Sequence, residues 1–281
     1  MAKVAAVTGS NKGIGFEVVK QLLQKNPNWV VYLLARDEGR GKDSIAELEK
    51  SGLKPRFHVL DLDNIESIKK CAEFLKKEHG GLDVLVNNAG IAYKQASDAP
   101  FAEQARVTNA TNFTGTMNVC KEFFPLLRDH ARVVNVSSRA GHMAWSKSSP
   151  EIQNAFKNCS TIEDVEELIN QFVKLAEDNK FAEAGWPQSA YGVSKIAVTV
   201  ATYIQQRQLS SDKTRKDLVV NACCPGYVKT DMSSHKGPKS VEDGADTLVY
   251  LATLPENTEV RGKFINERVE NDMFTKCSTA L

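Results

Sequence analysis

The sequence has little of what would mark several classes of protein. It has no charge excess: 36 Lys and Arg stand against 35 Asp and Glu, a net +1 over 281 residues. That balance gives no reason to expect nucleic acid or an acidic membrane surface as partner. No apolar run approaches the roughly 18 residues a membrane-spanning helix needs. The first one, Val4-Ala5-Ala6-Val7, is too short for a signal-peptide core and runs into glycines rather than a cleavage site. The cysteines (Cys71, Cys120, Cys159, Cys223, Cys224 and Cys277) include no C-x-x-C pair, the pattern of reduced thiols in a cytoplasmic protein. His58, His79, His130, His142 and His235 show no H-x-x-x-H spacing, so no metal site is expected. Linkers, internal repeats and low-complexity tracts are also missing, and one domain over 1–281 is expected.

What is present is a rhythm. Apolar runs of strand length fall at 4–7, 29–35, 56–60, 83–86, 132–136, 218–223 and 263–266. Most are near-continuous rather than alternating, as strands covered on both faces are. Helical spacing fills the gaps at 14–25, 43–51 and 65–77. Alternating β and α predicts a Rossmann-type α/β fold, a doubly wound parallel sheet of about seven strands with ligands at its C-terminal edge. One stretch breaks the rhythm, about 139–188. Ser149-Pro150 suits a helix start, Ser160 and Glu163 have capping-box spacing, and Ile162, Val165, Leu168, Ile169, Phe172, Val173 and Ala176 form one stripe. A helical insertion of two helices is expected there, and a mobile tail after Val269.

After the first strand comes Thr8-Gly9-Ser10-Asn11-Lys12-Gly13-Ile14-Gly15, opening into a helix. Glycines permit a tight turn and let backbone N–H groups approach a pyrophosphate at the helix N-terminus. A plain strand–helix turn would use glycines too; the strand before and helix after favour the phosphate reading. The second strand ends at Arg36, where an NAD site usually has an acid. Arg36 and Lys12 suit a 2′-phosphate, so NADP (as NADPH) is favoured over NAD; Asp37 is one position late. Two merely solvated cations are the bland alternative.

Tyr191-Gly192-Val193-Ser194-Lys195 begins an apolar helical stretch, and residues i and i+4 share a helix face. A cation beside a phenol lowers a pKa otherwise near 10, so the tyrosine can act as general acid. Alone, such a pair also fits a surface contact. Ser137-Ser138 closes the fifth strand at the ligand edge, where a hydroxyl can meet a substrate carbonyl. A capping role suits Ser137 more readily than Ser138.

With these residues in view, the sequence resembles the short-chain dehydrogenase/reductase family over nearly its whole length. Thr8-Gly9-x-x-x-Gly13-x-Gly15, Asn87-Asn88-Ala89-Gly90, Ser138 and Tyr191-x-x-x-Lys195 carry the likeness, with Asn112 and Pro225-Gly226 followed by Thr230. Within it, the monomeric NADPH carbonyl reductases read most alike, with a similarly long gap between Ser138 and Tyr191. The resemblance implies reduction of ketones, aldehydes or quinones to alcohols. Tyr191 is then the proton donor, Lys195 lowers its pKa and holds the nicotinamide ribose, Ser138 polarises the carbonyl, and Asn112 anchors a proton-relay water.

The same likeness assigns the cofactor to Gly9, Asn11, Lys12, Gly13, Ile14, Gly15, Arg36, Asp61, Leu62, Asn88, Ala89, Gly90, Tyr191, Lys195, Pro225, Gly226, Val228 and Thr230. Asp61 and Leu62 would line the adenine, and Val228 and Thr230 the nicotinamide amide. Tyr93, Gln104, Ala190 and Tyr227 are substrate candidates; Gln104, Ala190 and 93–95 match positions where some members of the group take glutathione conjugates. Tyr93 and Gln95 depart from the phenylalanine and small apolar residue of the group, and Tyr227 stands where it has tryptophan. The insertion implies a monomer. Cys224 reads as an inert buried thiol. An NADP-linked alcohol, steroid or prostaglandin dehydrogenase is the nearest alternative, and a non-catalytic NADPH sensor a further one.

Overall fold

The structure, a computed structural model, describes residues 2–94 and 96–275. The seven expected strands form: β1 (Val4–Thr8), β2 (Val30–Ala35), β3 (Arg56–Val59), β4 (Leu82–Asn87), β5 (Leu127–Val136), β6 (Val219–Cys224) and β7 (Phe264–Asn266). They are joined by an eighth, β8 (Val269–Asn271). The order is β3-β2-β1-β4-β5-β6-β7-β8, parallel throughout except for β8, which runs antiparallel to β7. Chain direction across the sheet reverses between β1 and β4, which pair directly, with Val7 opposite Val86. Sheets of this topology bind ligands in the crevice at that point, beyond the strand ends.

The central strands bury both faces. Ala5 and Val7 pack with α1 (Gly13–Lys25) and α10 (Val241–Ala252), while Val4 and Ala6 pack with α3 (Ile65–His79) and α5 (Thr116–Phe123). Between β2 and β3 runs α2 (Glu38–Lys50), five residues longer at its start than the apolar spacing suggests. Asp37 is the reason: its carboxylate accepts from Arg40 N at 2.9 Å and caps the helix. A third apolar cluster lies around α4 (Phe101–Asn109) and α9 (Ala190–Ser210).

The insertion holds three helices rather than two: α6 (Arg139–Lys147), α7 (Pro150–Asn158) and α8 (Ile162–Glu177). α6 is hard to see in sequence because Gly141 sits in its first turn. There a Cβ would come within 2.9 Å of the α9 backbone at Ile196, so the glycine is what lets the two helices touch. Ser149 caps α7 as expected, with Ile152 N donating to its Oγ. The capping box of α8 lies one residue later than Ser160 and Glu163. Thr161 accepts from Asp164 N, and the Asp164 carboxylate accepts from Thr161 N at 2.9 Å and Ser160 N at 2.7 Å. Val165, Ile169, Phe172 and Ala176 of the expected stripe are buried.

Nor is the chain after Val269 loose as far as it is described. Met273 is fully buried, and Phe274 meets Trp145 and Tyr203 edge-on at 5.8 and 5.9 Å. Cys277 lies outside the described residues.

Candidate active site

The turn after β1 is built for close approach. Gly9 and Gly13 have φ of 61° and 58°, a region costly for other residues. A Cβ on Gly9 would come 2.7 Å from Ala89 Cα, and one on Gly15 2.4 Å from Asn88 Nδ2. The Thr8 hydroxyl accepts from Asn88 N and Ala89 N, both at 3.0 Å, while Asn88 Nδ2 donates to Thr8 O and Gly9 O. The end of β4 thus holds the glycine turn through the first two residues after the strand.

Asp37, Asn64, Ser138, Ser149, Thr161, Ser189 and Ser240 each cap their helices with a side chain. At the start of α1 the capping residue is Lys12, whose side chain accepts nothing. The first-turn N–H groups of α1 are therefore open to an anion. A bare helix end and a turn with no room for side chains are what a dinucleotide's pyrophosphate needs.

Arg36 is exposed at the end of β2. Asp37 is engaged in capping α2. Sequence reading passed over Arg40. It shares a face of α2 with Ser44, whose hydroxyl donates to Asn11 O at 2.8 Å, so that face abuts the glycine turn. The signal was the spacing, a cation three residues beyond a capping aspartate. Lys12 is not free: its Nζ lies 2.7 Å from Asp231 Oδ2, in the loop after β6. Asp61 Oδ1 accepts from Asp63 N, and Leu62 is buried beneath Gly115.

Across the crevice, Ser189 caps α9 by accepting from Gly192 N at 3.1 Å, which places Tyr191 in the first turn of the helix. Lys195 follows one turn on, its Nζ 5.5 Å from the centre of the Tyr191 ring and donating to Val136 O at 2.7 Å. Ser138, rather than Ser137, caps α6: its Oγ accepts from Ala140 N at 3.1 Å and is also hydrogen-bonded to Tyr191. Ser137 is bound into the core by Lys195 O and the Thr199 hydroxyl.

Asn112 sits in a π-helical turn (Ala110–Gly115) between α4 and α5. Such a turn turns side chains out of the helical register, often at functional positions. Asn112 Oδ1 accepts from Ile91 N at 2.7 Å, and its Nδ2 donates to Ile91 O and Ser194 Oγ. Gly90 is packed between them; a Cβ there would lie 3.1 Å from Asn112 Oδ1 and 3.7 Å from Lys195 Nζ. Tyr191, Lys195, Ser138 and Asn112 thus meet at the ends of β4 and β5.

Electrostatics differ from the expectation that Lys195 lowers the tyrosine pKa. Burial, with the neighbouring Cys224, pushes the Tyr191 phenol up to about 12, against the bond from Ser138. Burial likewise pulls the Lys195 ammonium down to about 8. In the protein alone, loss of water is the largest influence on both groups. Tyr191 is therefore a protonated phenol at neutral pH.

Beyond Ile91, a cavity of about 460 Å³ is lined by Ile91, Ala92, Tyr93, Lys94, Ala96 and Ser97. Tyr93 OH donates to Glu103 Oε1 at 2.9 Å, and Gln104 Nε2 donates to Ala99 O. Ala190 is buried at the start of α9. Gln95 lies outside the described residues. On the opposite loop, Gly226 has φ 87°, Val228 is buried, and Tyr227 is half exposed. Thr230 lies against the glycine turn, its Cγ2 3.5 Å from where a Gly13 Cβ would be. Cys224 is buried, its sulfur accepting from Arg139 N and Gly226 N at 3.3 Å each. Among the described residues no group of three His, Cys, Asp or Glu could hold a metal, and no helix is long and apolar enough to cross a membrane.

A dinucleotide crevice with a Tyr–Lys pair on its far wall defines the class: the chain belongs to the short chain dehydrogenase family, whose pattern matches residues 3–150. It is 48% identical to carbonyl reductase (NADPH) 3 of Rattus norvegicus over 271 residues, covering 95% of this chain and 97% of that protein. It is 49% identical to carbonyl reductase (NADPH) 1 of Homo sapiens over 267 residues, covering 94% and 96%. Among solved structures, salutaridine reductase from Papaver somniferum superposes with a TM-score of 0.84 at 29% identity, covering 93% of this chain and 99% of that one.

Proposed function

We propose that this protein is an NADPH-dependent carbonyl reductase with Tyr191 as proton donor. The observation that carries the reading is the convergence of Tyr191, Lys195, Ser138 and Asn112 opposite an uncapped glycine turn flanked by cations. The kinship with two NADPH carbonyl reductases at nearly half identity supports it.

NADPH, when bound, supplies hydride to the carbonyl carbon. The amides of Gly13, Ile14 and Gly15 would hold its pyrophosphate, with Gly9 and Asn11 shaping the turn. Arg36, Arg40 and Lys12 would hold the 2′-phosphate. Asp61, Leu62, Asn88, Ala89 and Gly90 would flank the adenosine; Pro225, Gly226, Val228 and Thr230 would flank the nicotinamide. Lys195 would hold the nicotinamide ribose.

Ser138 keeps its one acceptor bond to Ala140 N and is positioned to donate to a substrate oxygen. Tyr191, protonated at neutral pH, then gives its proton to that oxygen as charge develops on it. Asn112, clamped on Ile91 and Ser194, fixes the path by which Lys195 and Tyr191 recover a proton. The cavity beyond Ile91 takes the rest of the substrate, and ketones, aldehydes and quinones are the proposed classes. The five described cysteines are unpaired, which suits a reducing cytoplasmic setting.

A panel of quinones, α-dicarbonyls and aldehydes assayed with NADPH and NADH tests the proposal. NADPH should support turnover and NADH should serve poorly. Tyr191→Phe should cost about 10²- to 10⁴-fold in rate while NADPH still binds. NADPH binding by the parent protein without turnover of any compound would overturn it.

A further inference from the structure

The Lys12–Asp231 pair joins the two walls of the crevice, which are 219 residues apart in sequence. Asp231 is held ready by its own loop. Ser233 Oγ donates to Val228 O and Thr230 O and accepts from Thr230 N, and His235 N donates to Thr230 O at 2.8 Å. Ser234 and His235 both take φ near +50 to +60°, costly for non-glycine residues, and the turn they make brings His235 Nε2 within 3.0 Å of Asp231 Oδ1. One carboxylate oxygen thus serves His235 and the other serves Lys12. Thr230, the residue before it, is the one packed on Gly13.

Lys12 is therefore claimed twice, by Asp231 in the free protein and by the 2′-phosphate in the reading above. We infer that Asp231 is a specificity-determining residue: it is a built-in competitor for the cation that selects the phosphorylated cofactor, and its carboxylate tempers the preference for NADPH over NADH. The inference rests on the proposed role of Lys12. Binding of the 2′-phosphate exchanges one anion for another on the same ammonium. NADH, without that phosphate, leaves the bridge intact and gains nothing from its removal. An ion pair with both partners more than half exposed is weak, so the expected change is a factor of about 2 to 5.

The test is equilibrium titration of NADPH and NADH by protein fluorescence, on the parent, Asp231→Asn, Lys12→Ala and the double variant. Asp231→Asn should tighten NADPH about 2- to 5-fold and raise the NADPH-over-NADH ratio. In the Lys12→Ala background the same change should leave that ratio unmoved. An unchanged ratio in Asp231→Asn, or equal tightening of both cofactors, overturns the inference. A parent that binds NADH as tightly as NADPH instead overturns the cofactor assignment beneath it. Thermal melts of each variant separate these outcomes from misfolding.

Discussion

At the scale of single residues, the site holds two ionisable groups that each resist ionisation. The Lys195 ammonium is buried and the Tyr191 phenol partly so, and desolvation keeps the proton on the phenol and holds the lysine at about 8 against an ordinary 10.5. The lysine carries a stability cost with a definite sign. Below pH 8 the folded chain bears the full charge in a buried place. Between 8 and 10.5 only the unfolded chain keeps the proton, so this group makes stability rise with pH. Lys195→Met should therefore abolish turnover yet melt about 2 °C above the parent at pH 7, with the gap narrowing by pH 10. A variant that melts lower at pH 7 would show that the bond to Val136 O outweighs the burial cost. The pair itself was legible from its spacing of four. The direction of the tyrosine's shift was not, because burial is a property of what α9 packs against.

At the scale of elements, helix starts position the chemistry. Ser189 sets the first turn of α9, and Ser138 both begins α6 and bonds the tyrosine. The π-helical turn delivers Asn112 to Ile91, the first residue past the end of the NNAG run. None of this irregularity shows in apolar periodicity, which explains why α6 was missed and the α8 cap was read one residue early. Thr161→Ala removes one side of the capping box and should cost about 1 kcal/mol in urea unfolding. Ser160→Ala should cost much less, since that residue contributes its backbone N–H to Asp164 and its hydroxyl only weakly to Asn158 O. Equal losses would place the cap back on Ser160.

At the scale of the whole molecule, the insertion decides which helical faces meet water. α8 buries Val165, Ile169, Phe172 and Ala176 in the cluster that holds Ala105 of α4 and Val193, Ile196, Ala197 and Val200 of α9. Phe172 tilts on Trp186 at 5.0 Å and meets Phe101 edge-on at 6.1 Å, so α8 is joined to α4 by aromatic packing as well as area. A helix face covered by its own chain is not offered to a second copy. We accordingly expect a monomer near 31.0 kDa in analytical ultracentrifugation across micromolar concentrations, and a dimer would refute that expectation.

The sequence alone determined the seven parallel strands, the glycine turn, the cation in place of an acid after β2 and the Tyr–Lys spacing. Each is a local pattern: a continuous apolar run, a φ only glycine holds cheaply, one helical turn. Tertiary structure decided the rest. It added β8 and folded the tail back over Trp145, assigned the cap to Ser138 rather than Ser137, and turned the phenol's pKa upward. It also bound Lys12 to Asp231, far along the chain. Burial and pairing between distant segments depend on which surfaces the fold presses together, and no window of residues carries that information.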